Sequence, residues 1–490
     1  MQKVKVKNKN LILVIACFLV TACLPVVAYC EQAPEEIWSR KYNRGWGDQA
    51  KSLCVDKDGN IYVTGYSNNG SNNDLTIIKY NPNGIPIWVK NIDKGGIDEG
   101  YDIKIDKYGY LYVVGSTERA NLDGFIVKLD TAGNIIWEQA HNIFKGDKFS
   151  CLDFDDTGNL YVCGYCNEVA LSKDFLVSKY NSTGETLQWV SEYKYDSGNA
   201  DEAKALAVAS DGFLYVTGIS DNKMLTVKID SSSGNTVWMN TYPGIGGSDR
   251  GNDIAISSDK NIVVVGYTKI AAADNCVIVV YHPDSHTIWT QTVEKGEAYN
   301  VTVDQSGYIY FSGESRISAD YDWLIAKYTS SGSLLWTKNY NSGGKDGAPD
   351  LKTDASGYIY LTGYSNNGVT DDFLTIKYST VPGILPPQST GEVRIGSTGK
   401  QGIVYPLKGD KAIIAVKPTT AGKIVVKIYT LTGNYVIDNV FDVFDPLDSS
   451  KNYWLWDCYN KQGSPVVSGA YIVYVEGPGI RVSKKVIIIR

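Results

Sequence analysis

Two series of aspartates recur along the chain at intervals near fifty residues, and they raise the first question of chemistry. One runs Asp48, Asp98, Asp147, Asp201, Asp249 and Asp346, with Gly296 and Glu297 at the corresponding place of one further copy. The other runs Asp74, Asp123, Asp174, Asp322 and Asp372, with Lys223 and Asn275 as exceptions. Carboxylates at strand ends ordinarily accept hydrogen bonds from loop N–H groups. Hard oxygens gathered at one mouth would instead suit Ca²⁺, which makes the first series the metal candidates and Ca²⁺ the one cofactor to weigh. No copy has the DxDxDG order of a calcium loop, so the expectation is no cofactor.

Aromatic and amide side chains accompany these carboxylates. Tyr66, Tyr165, Tyr267 and Tyr364 each follow a recurring glycine, and Trp46 lies in the loop before the first copy. Together with Asn68, Asn69, Asn366 and Asn367 they make the chemistry that holds sugars, ring stacking plus amide hydrogen bonds. The ligand-binding expectation is therefore Trp46, Tyr66, Asn68, Asn69, Tyr364, Asn366 and Asn367.

Catalytic signatures are weak. There are three histidines, His141, His282 and His286, and the last two stand in "HPDSH" where the first copy has "NPNG". Their spacing would suit a metal, but this copy is the most divergent, with Lys260 in place of a turn glycine and Val280 in place of a lysine, so drift is the reading adopted. No nucleophile elbow, zinc-type helix pair or phosphate loop is present. Paired carboxylates for glycoside hydrolysis could hide among the aspartates, but equivalent copies do not single out two of them. "CGYC" (Cys163–Cys166) resembles a redox motif but lies on a strand, away from the helix N-terminus that lowers a thiol's pKa. Cys151 and Cys163 lie almost symmetrically about the Thr157–Gly158 turn, which allows a disulfide between neighbouring strands.

The elements that must position these residues are repeated. "IYVTGYSNNG" at 61–70 returns as "IYLTGYSNNG" at 359–368, and its glycine recurs as Gly65, Gly115, Gly164, Gly218, Gly266, Gly313 and Gly363. Each copy reads as four short antiparallel strands, with a tight turn such as "DKDGN" after the first. Tryptophans mark the fourth strand: Trp38, Trp88, Trp137, Trp189, Trp238, Trp289 and Trp336. The first of them precedes the first glycine, and none follows the last copy. That offset predicts that "EIWSRKY" at 36–42 completes the copy whose other strands lie between about 346 and 380. The fold class expected is all-β: a seven-bladed β-propeller closed by an N-terminal strand over residues 35–380, which leaves only short edges exposed.

The pattern of an Asp, a turn Gly, "IYVTG", an Asp before "LTIIKY", and a Gly ahead of Trp resembles the bacterial SBBP-type β-propeller repeat family across roughly residues 35 to 380. The resemblance implies a fold and carries no uniform reaction.

The ends have their own character. "MQKVKVKNKN", then an apolar run from Leu11 to Val20 and small residues, has the layout of an export signal over residues 1–30. Either lipidation at Cys23 or cleavage after Ala28 would process it. After Tyr378, a Pro-, Gly- and Ser-rich stretch reads as a linker over 381–392, and the strands from 393 to 490 as a small β-sandwich. Here "KIYTLTGNYV", Trp456-Asp457, "KQGSPVVSGAYIVYV" and "KKVIIIR" resemble the immunoglobulin-like domain of flagellar hook-capping proteins and C-terminal sorting modules. "DCYN" departs from the "DGxD"-like run of that resemblance.

A net charge of −7 argues against nucleic acid as a partner and leaves a membrane within reach only through an N-terminal lipid. The functional expectation is an exported, non-enzymatic recognition scaffold at the cell surface, outer membrane or outside the cell, binding a glycan or a surface protein. A carbohydrate-active enzyme using face carboxylates, or a structural part of an envelope assembly, are the alternatives.

Overall fold

The computed structural model describes residues 33–490, except 119–120, 143–145, 168–172, 194–200, 245–246, 271–272, 317–320, 343, 355–356, 367, 380–391, 398–402, 409, 432–433 and 444–451. The export segment with Cys23, Asn367 and nearly all of the linker lie outside the described residues.

The fold is all-β, with one short 3-10 turn at Pro406–Lys408. Seven four-stranded antiparallel sheets are described before residue 380. Sheet 1 is typical: Asp48–Val55, Ile61–Asn68, Asn73–Tyr80 and Pro86–Ile92, in that spatial order. The leading strands of sheets 2 to 7 are Asp98–Ile105, Asp147–Phe154, Glu202–Val208, Asp249–Ile256, Gly296–Val303 and Asp346–Thr353. Sheet 7 takes its outer strand from the start of the chain, because Glu35–Tyr42 pairs antiparallel with Asp371–Ser379, matching Trp38 to Lys377 and Tyr42 to Phe373. The leading strand of sheet 1 packs on three strands of sheet 7.

The recurring glycine is explained by a β-bulge in the leading strand. The register slips by one residue between Ala50 and Ser52, and at the equivalent place in sheets 2 to 6. The bulge pushes a carbonyl across the ladder. A Cβ on Gly65 would lie 2.0 Å from the Gln49 oxygen, and on Gly164 1.8 Å from that of Lys148. Nothing but glycine fits, and the extra residue turns its side chain out of the sheet.

At the opposite end, indoles join one sheet to the next. The N–H of Trp38 donates to Pro82 O at 3.1 Å, Trp88 to Thr131 O at 3.2 Å, Trp189 to Ser231 O at 3.3 Å, Trp238 to Pro283 O at 3.0 Å and Trp289 to Ser330 O at 3.0 Å. Each acceptor lies in the last hairpin turn of the following sheet. Apolar side chains between facing sheets complete the cores, for instance Tyr62, Leu75 and Ile77 against Ile103, Val113 and Val127.

The remaining residues form a three-stranded sheet (Glu392–Ser397, Ala412–Lys417, Tyr453–Trp456) and a five-stranded sheet (Ile403–Val404, Gly422–Thr430, Tyr435–Val443, Gly469–Gly477, Ile480–Ile488). They share one core built on Val393, Ile414, Val426, Trp456, Val473 and Val486. Cys458 of "DCYN" has φ of 64°, the left-handed conformation in which glycine is the easy residue, so the departure from "DGxD" keeps the turn at the cost of strain.

Trp88→Phe keeps an aromatic ring but removes the donor to Thr131 O. Denaturant unfolding is expected to show a loss of about 1–2 kcal/mol; a variant as stable as the parent would show that the indole bond does not hold the sheets together.

Candidate functional site

Because each leading strand is a sheet edge, its outward N–H groups need acceptors. The preceding sheet supplies them. Asp102 Oδ2 accepts from Leu152 N at 2.9 Å, Asp153 Oδ2 from Val208 N at 2.9 Å and Asp253 Oδ2 from Val301 N at 2.8 Å. Asn300 Oδ1 accepts from Leu351 N at 3.1 Å and Asp350 Oδ2 from Leu53 N at 2.7 Å, the last linking sheet 7 to sheet 1. Ser52 Oγ bridges Asp102 and Asp350, 2.7 and 2.8 Å away.

These groups line a cavity of about 550 Å³ to which all seven leading strands contribute. The bulge residues Lys51, Tyr101, Lys204, Asn252 and Tyr299 line it, along with Asp102, Asp253, Asp350, Lys104 and Lys352. Opposite charges are paired inside: Lys352 Nζ lies 2.6 Å from Asp350 and Lys104 Nζ 2.8 Å from Asp153. Burial works against both ammonium groups, but the neighbouring carboxylates hold them above their ordinary values. Burial likewise pushes the Asp253 carboxyl up to about 7, against the opposing pull of Lys352 and of the Val301 N–H.

Beside the lining residues Tyr101 and Lys51, ammonium groups meet aromatic rings. Lys148 Nζ sits 3.6 Å from the centre of the Tyr101 ring, Lys173 Nζ 4.0 Å from Tyr165 and Lys51 Nζ 5.4 Å from Tyr66. Burial lowers Lys148 to about 8 and also lowers Lys51. Arg250 is committed to Glu297, with Nε 3.0 Å from Oε1. Glu202 is held below its usual range by Lys204 and Lys173 despite burial.

The sequence-predicted residues are divided by this geometry. Tyr66 and Tyr364 come together at the seam of sheets 1 and 7, where Gln49 donates to Asp371 at 2.7 Å, and burial and the nearby acids and phenols push both phenols up. Trp46, 68% exposed, lies beside Gly70. The asparagines, in contrast, staple their own loops. Asn68 Nδ2 donates to Asn73 at 2.9 Å and its Oδ1 accepts from Gly70 N; Asn69 Nδ2 donates to Asp74 at 2.9 Å and its Oδ1 accepts from Ser71 N. Asn366 repeats this with Asp371 and Gly368 N. Short Asx side chains in a four-residue loop find partners within that loop and the strand that follows it.

The metal candidates are engaged as well. Asp48, Asp98, Asp147, Asp201, Asp249 and Asp346 are all buried, one in each of six repeats. Asp48 accepts from Arg44 N at 2.7 Å, Asp98 from Lys94 N at 2.6 Å, Asp249 from Thr268 Oγ1 at 2.5 Å and Asp346 from Ser342 N at 2.7 Å. Arg44 also pairs with Asp74 at 2.5 Å, so both aspartate series meet at one end of sheet 1. Among the described residues these six carboxylates do not converge as a ligand set.

Cys151 and Cys163 are bonded, with Cα atoms 5.3 Å apart, and the thiols of Cys54, Cys166, Cys276 and Cys458 are buried. His141 packs against Tyr180, and burial lowers it to about 4. The cavity residues were not anticipated from the sequence. A usable signal existed: the residue three places after each first-series position reads Lys51, Tyr101, Ser150, Lys204, Asn252, Tyr299 and Pro349 in turn, varying where the flanking positions repeat.

A family model described as a β-propeller repeat matches residues 37–71. The chain carries a β-propeller repeat. The match begins in the strand that completes sheet 7 and ends in sheet 1, so the repeat unit crosses a sheet boundary. Among solved structures the chain is similar to the Dos1 propeller, at 11% identity over 68% of this chain and 77% of that one, with a TM-score of 0.45. Sqt1 from Chaetomium thermophilum (13%, 68% and 83%, 0.43) and the Neurospora crassa Pan2 WD40 domain (11%, 71% and 96%, 0.44) are similar to a like degree. No curated protein matches the sequence.

Asp253 titrates at a folded value above its unfolded one of 3.8, so its contribution to stability is present below about 4 and lost as pH rises through about 7. Relative to Asp253→Asn, the parent is expected to lose on the order of 1–3 kcal/mol between pH 4.5 and pH 8 in urea unfolding. An equal gap at both pH values would mean the carboxyl is not held protonated.

Proposed function

We propose that this chain is an exported, non-enzymatic recognition protein whose seven sheets are the blades of one β-propeller, closed by the strand Glu35–Tyr42. Its ligand is a glycan, taken at the aromatic and basic mouth of the axial cavity. The pairing of Glu35–Tyr42 with sheet 7 and the Asp350 to Leu53 bond support closure. The observation that carries the binding reading is the cavity of about 550 Å³, whose lining offers Tyr, Lys, Asn and Ser side chains in place of an apolar wall. Sugars need flat apolar faces for their C–H surfaces and many hydrogen-bonding groups for their hydroxyls. Tyr101 and Tyr299 of the lining supply the first, with Tyr66 and Tyr364 at the seam beside Lys51, and Lys51 and Asn252 supply the second.

Export, with lipidation at Cys23 or cleavage after Ala28, agrees with the Cys151–Cys163 disulfide, a bond that lasts in oxidising surroundings. The terminal sandwich is read as an immunoglobulin-like anchor, spacer or sorting module. The Tyr471 hydroxyl donates to Val467 O at 2.7 Å, four residues upstream, a device of such sandwiches. A second reading, a carbohydrate-active enzyme, is favoured by Asp253 alone, since a carboxyl near 7 suits a general acid.

The test is binding of the secreted chain to a panel of polysaccharides and envelope extracts, beside a folded Tyr66→Ala/Tyr364→Ala double variant. Two lost aromatic contacts of about 0.5–1.5 kcal/mol each predict a roughly 5- to 150-fold weaker Kd. Undiminished binding would move the site off the seam. Turnover of a polysaccharide by the parent but not by Asp253→Asn would replace binding with catalysis.

A further inference from the structure

The last hairpin turn of sheet 5, residues 282–286, breaks two rules that its sister turns keep. In those turns the first residue caps the turn through a short side chain: Asn81 Oδ1 accepts from Asn83 N at 3.0 Å and Ile85 N at 2.9 Å, and Asp130 Oδ1 from Ala132 N and Asn134 N at 2.9 and 2.8 Å. His282 stands there instead, with Asp284 N 3.5 Å from its Nδ1, a poor cap. The residue with positive φ is glycine in the sisters, at 74° in Gly84, 88° in Gly133 and 75° in Gly234. Ser285 takes its place at φ 88°, a conformation that is costly for any residue with a Cβ. Local rules broken without local compensation are expected at functional sites.

What the turn gains is a set of metal-binding donors. The Nδ1 atoms of His282 and His286 lie 2.7 and 2.5 Å from the same oxygen, Oδ1 of Asp284, and the two imidazoles stack with centres 4.6 Å apart. Among the described residues this is the one group of three such side chains whose donor atoms all lie within 4.8 Å of one another. The scaffold is held from outside. Trp238 Nε1 and Lys228 Nζ both donate to Pro283 O, at 3.0 and 3.2 Å, and Asn240 Nδ2 to Ser285 O at 2.9 Å. A turn clamped at two carbonyls by the neighbouring sheet keeps its donors close before any ion arrives. Asn83 holds the place of Asp284 in the first copy, and here the carboxylate in that place meets both histidines.

We propose that His282, Asp284 and His286 form a site for a divalent transition metal of the Zn²⁺, Cu²⁺ or Ni²⁺ class. Two imidazole nitrogens and one carboxylate oxygen suit these ions and not Ca²⁺, which takes six to eight oxygens. All three side chains are solvent-exposed, so the remaining coordination positions face water and stay open to a further ligand. The site lies in a hairpin turn between an inner and an outer strand, apart from the cavity residues, and does not depend on the glycan reading.

The test is isothermal titration of the chelator-treated, disulfide-intact full chain with ZnCl₂ at pH 7.5, repeated with His282→Ala, His286→Ala and Asp284→Asn. One equivalent bound, a tenfold or greater loss of affinity in each histidine variant and a smaller loss in Asp284→Asn are expected, with unchanged melting of the metal-free variants. Cu²⁺ added to the parent should give an electron paramagnetic resonance signal of two coordinated nitrogens that is lost in the double histidine variant. No saturable uptake, or uptake indifferent to both histidines, would overturn the proposal.

Discussion

The structure depends on one constraint: every leading strand is a sheet edge turned toward the interior, and its N–H groups have to be satisfied there. Water could do this in an open channel, but the neighbouring sheet does it with Asp102, Asp153, Asp253, Asn300 and Asp350. An unsatisfied buried donor costs roughly 1–3 kcal/mol, so each such bond ties two sheets together with an energy comparable to a well-buried side chain. A cavity lined with charge is the direct result. Its carboxylates are there to receive N–H groups, and Lys104 and Lys352 are there to neutralise the carboxylates.

The same dependence on the neighbour operates at the far end of each sheet. An indole reaches forward to the next sheet's turn, and the turn glycine lets the backbone lie against it: a Cβ on Gly84 would approach Trp38 to 2.7 Å. No single copy therefore contains its own partners. Caps and clamps both cross to the next sheet, which explains a repeat unit that starts in one sheet and ends in another. Stability in such arrays includes a contribution from each junction between neighbouring units.

The fold was legible because its determinants are local and periodic. Gly59 and its equivalents, the "YVTG" glycines and the seven tryptophans are each required by a backbone conformation or a close approach, so the residue type announces the structure. The offset of Trp38 from the first glycine likewise placed Glu35–Tyr42 in sheet 7. The candidate site was less legible. A bulge rotates one residue out of register, so strict alternation assigns Lys51 or Tyr101 to the wrong face. Asn68 and Asn69 have the composition of sugar ligands, yet loop geometry turns their amides onto their own backbone. His282 and His286 looked like substitutions in a worn copy, and only the folded turn brings both rings onto one oxygen of Asp284.

What separates scaffold from site is the pattern of variation within this one chain. Copies made by duplication begin alike, and positions held by a cap, a clamp or a close approach stay alike. At the bulge the copies read Lys51, Tyr101, Ser150, Lys204, Asn252, Tyr299 and Pro349. A bulge residue pairs with nothing across the ladder, so the ladder does not dictate its identity. The cavity wall is consequently asymmetric even though its backbone repeats, and an asymmetric polar wall discriminates between orientations of a bound molecule where seven identical residues could not. The fold thus fixes the carboxylates, and the ladder lets the residues beside them differ from copy to copy.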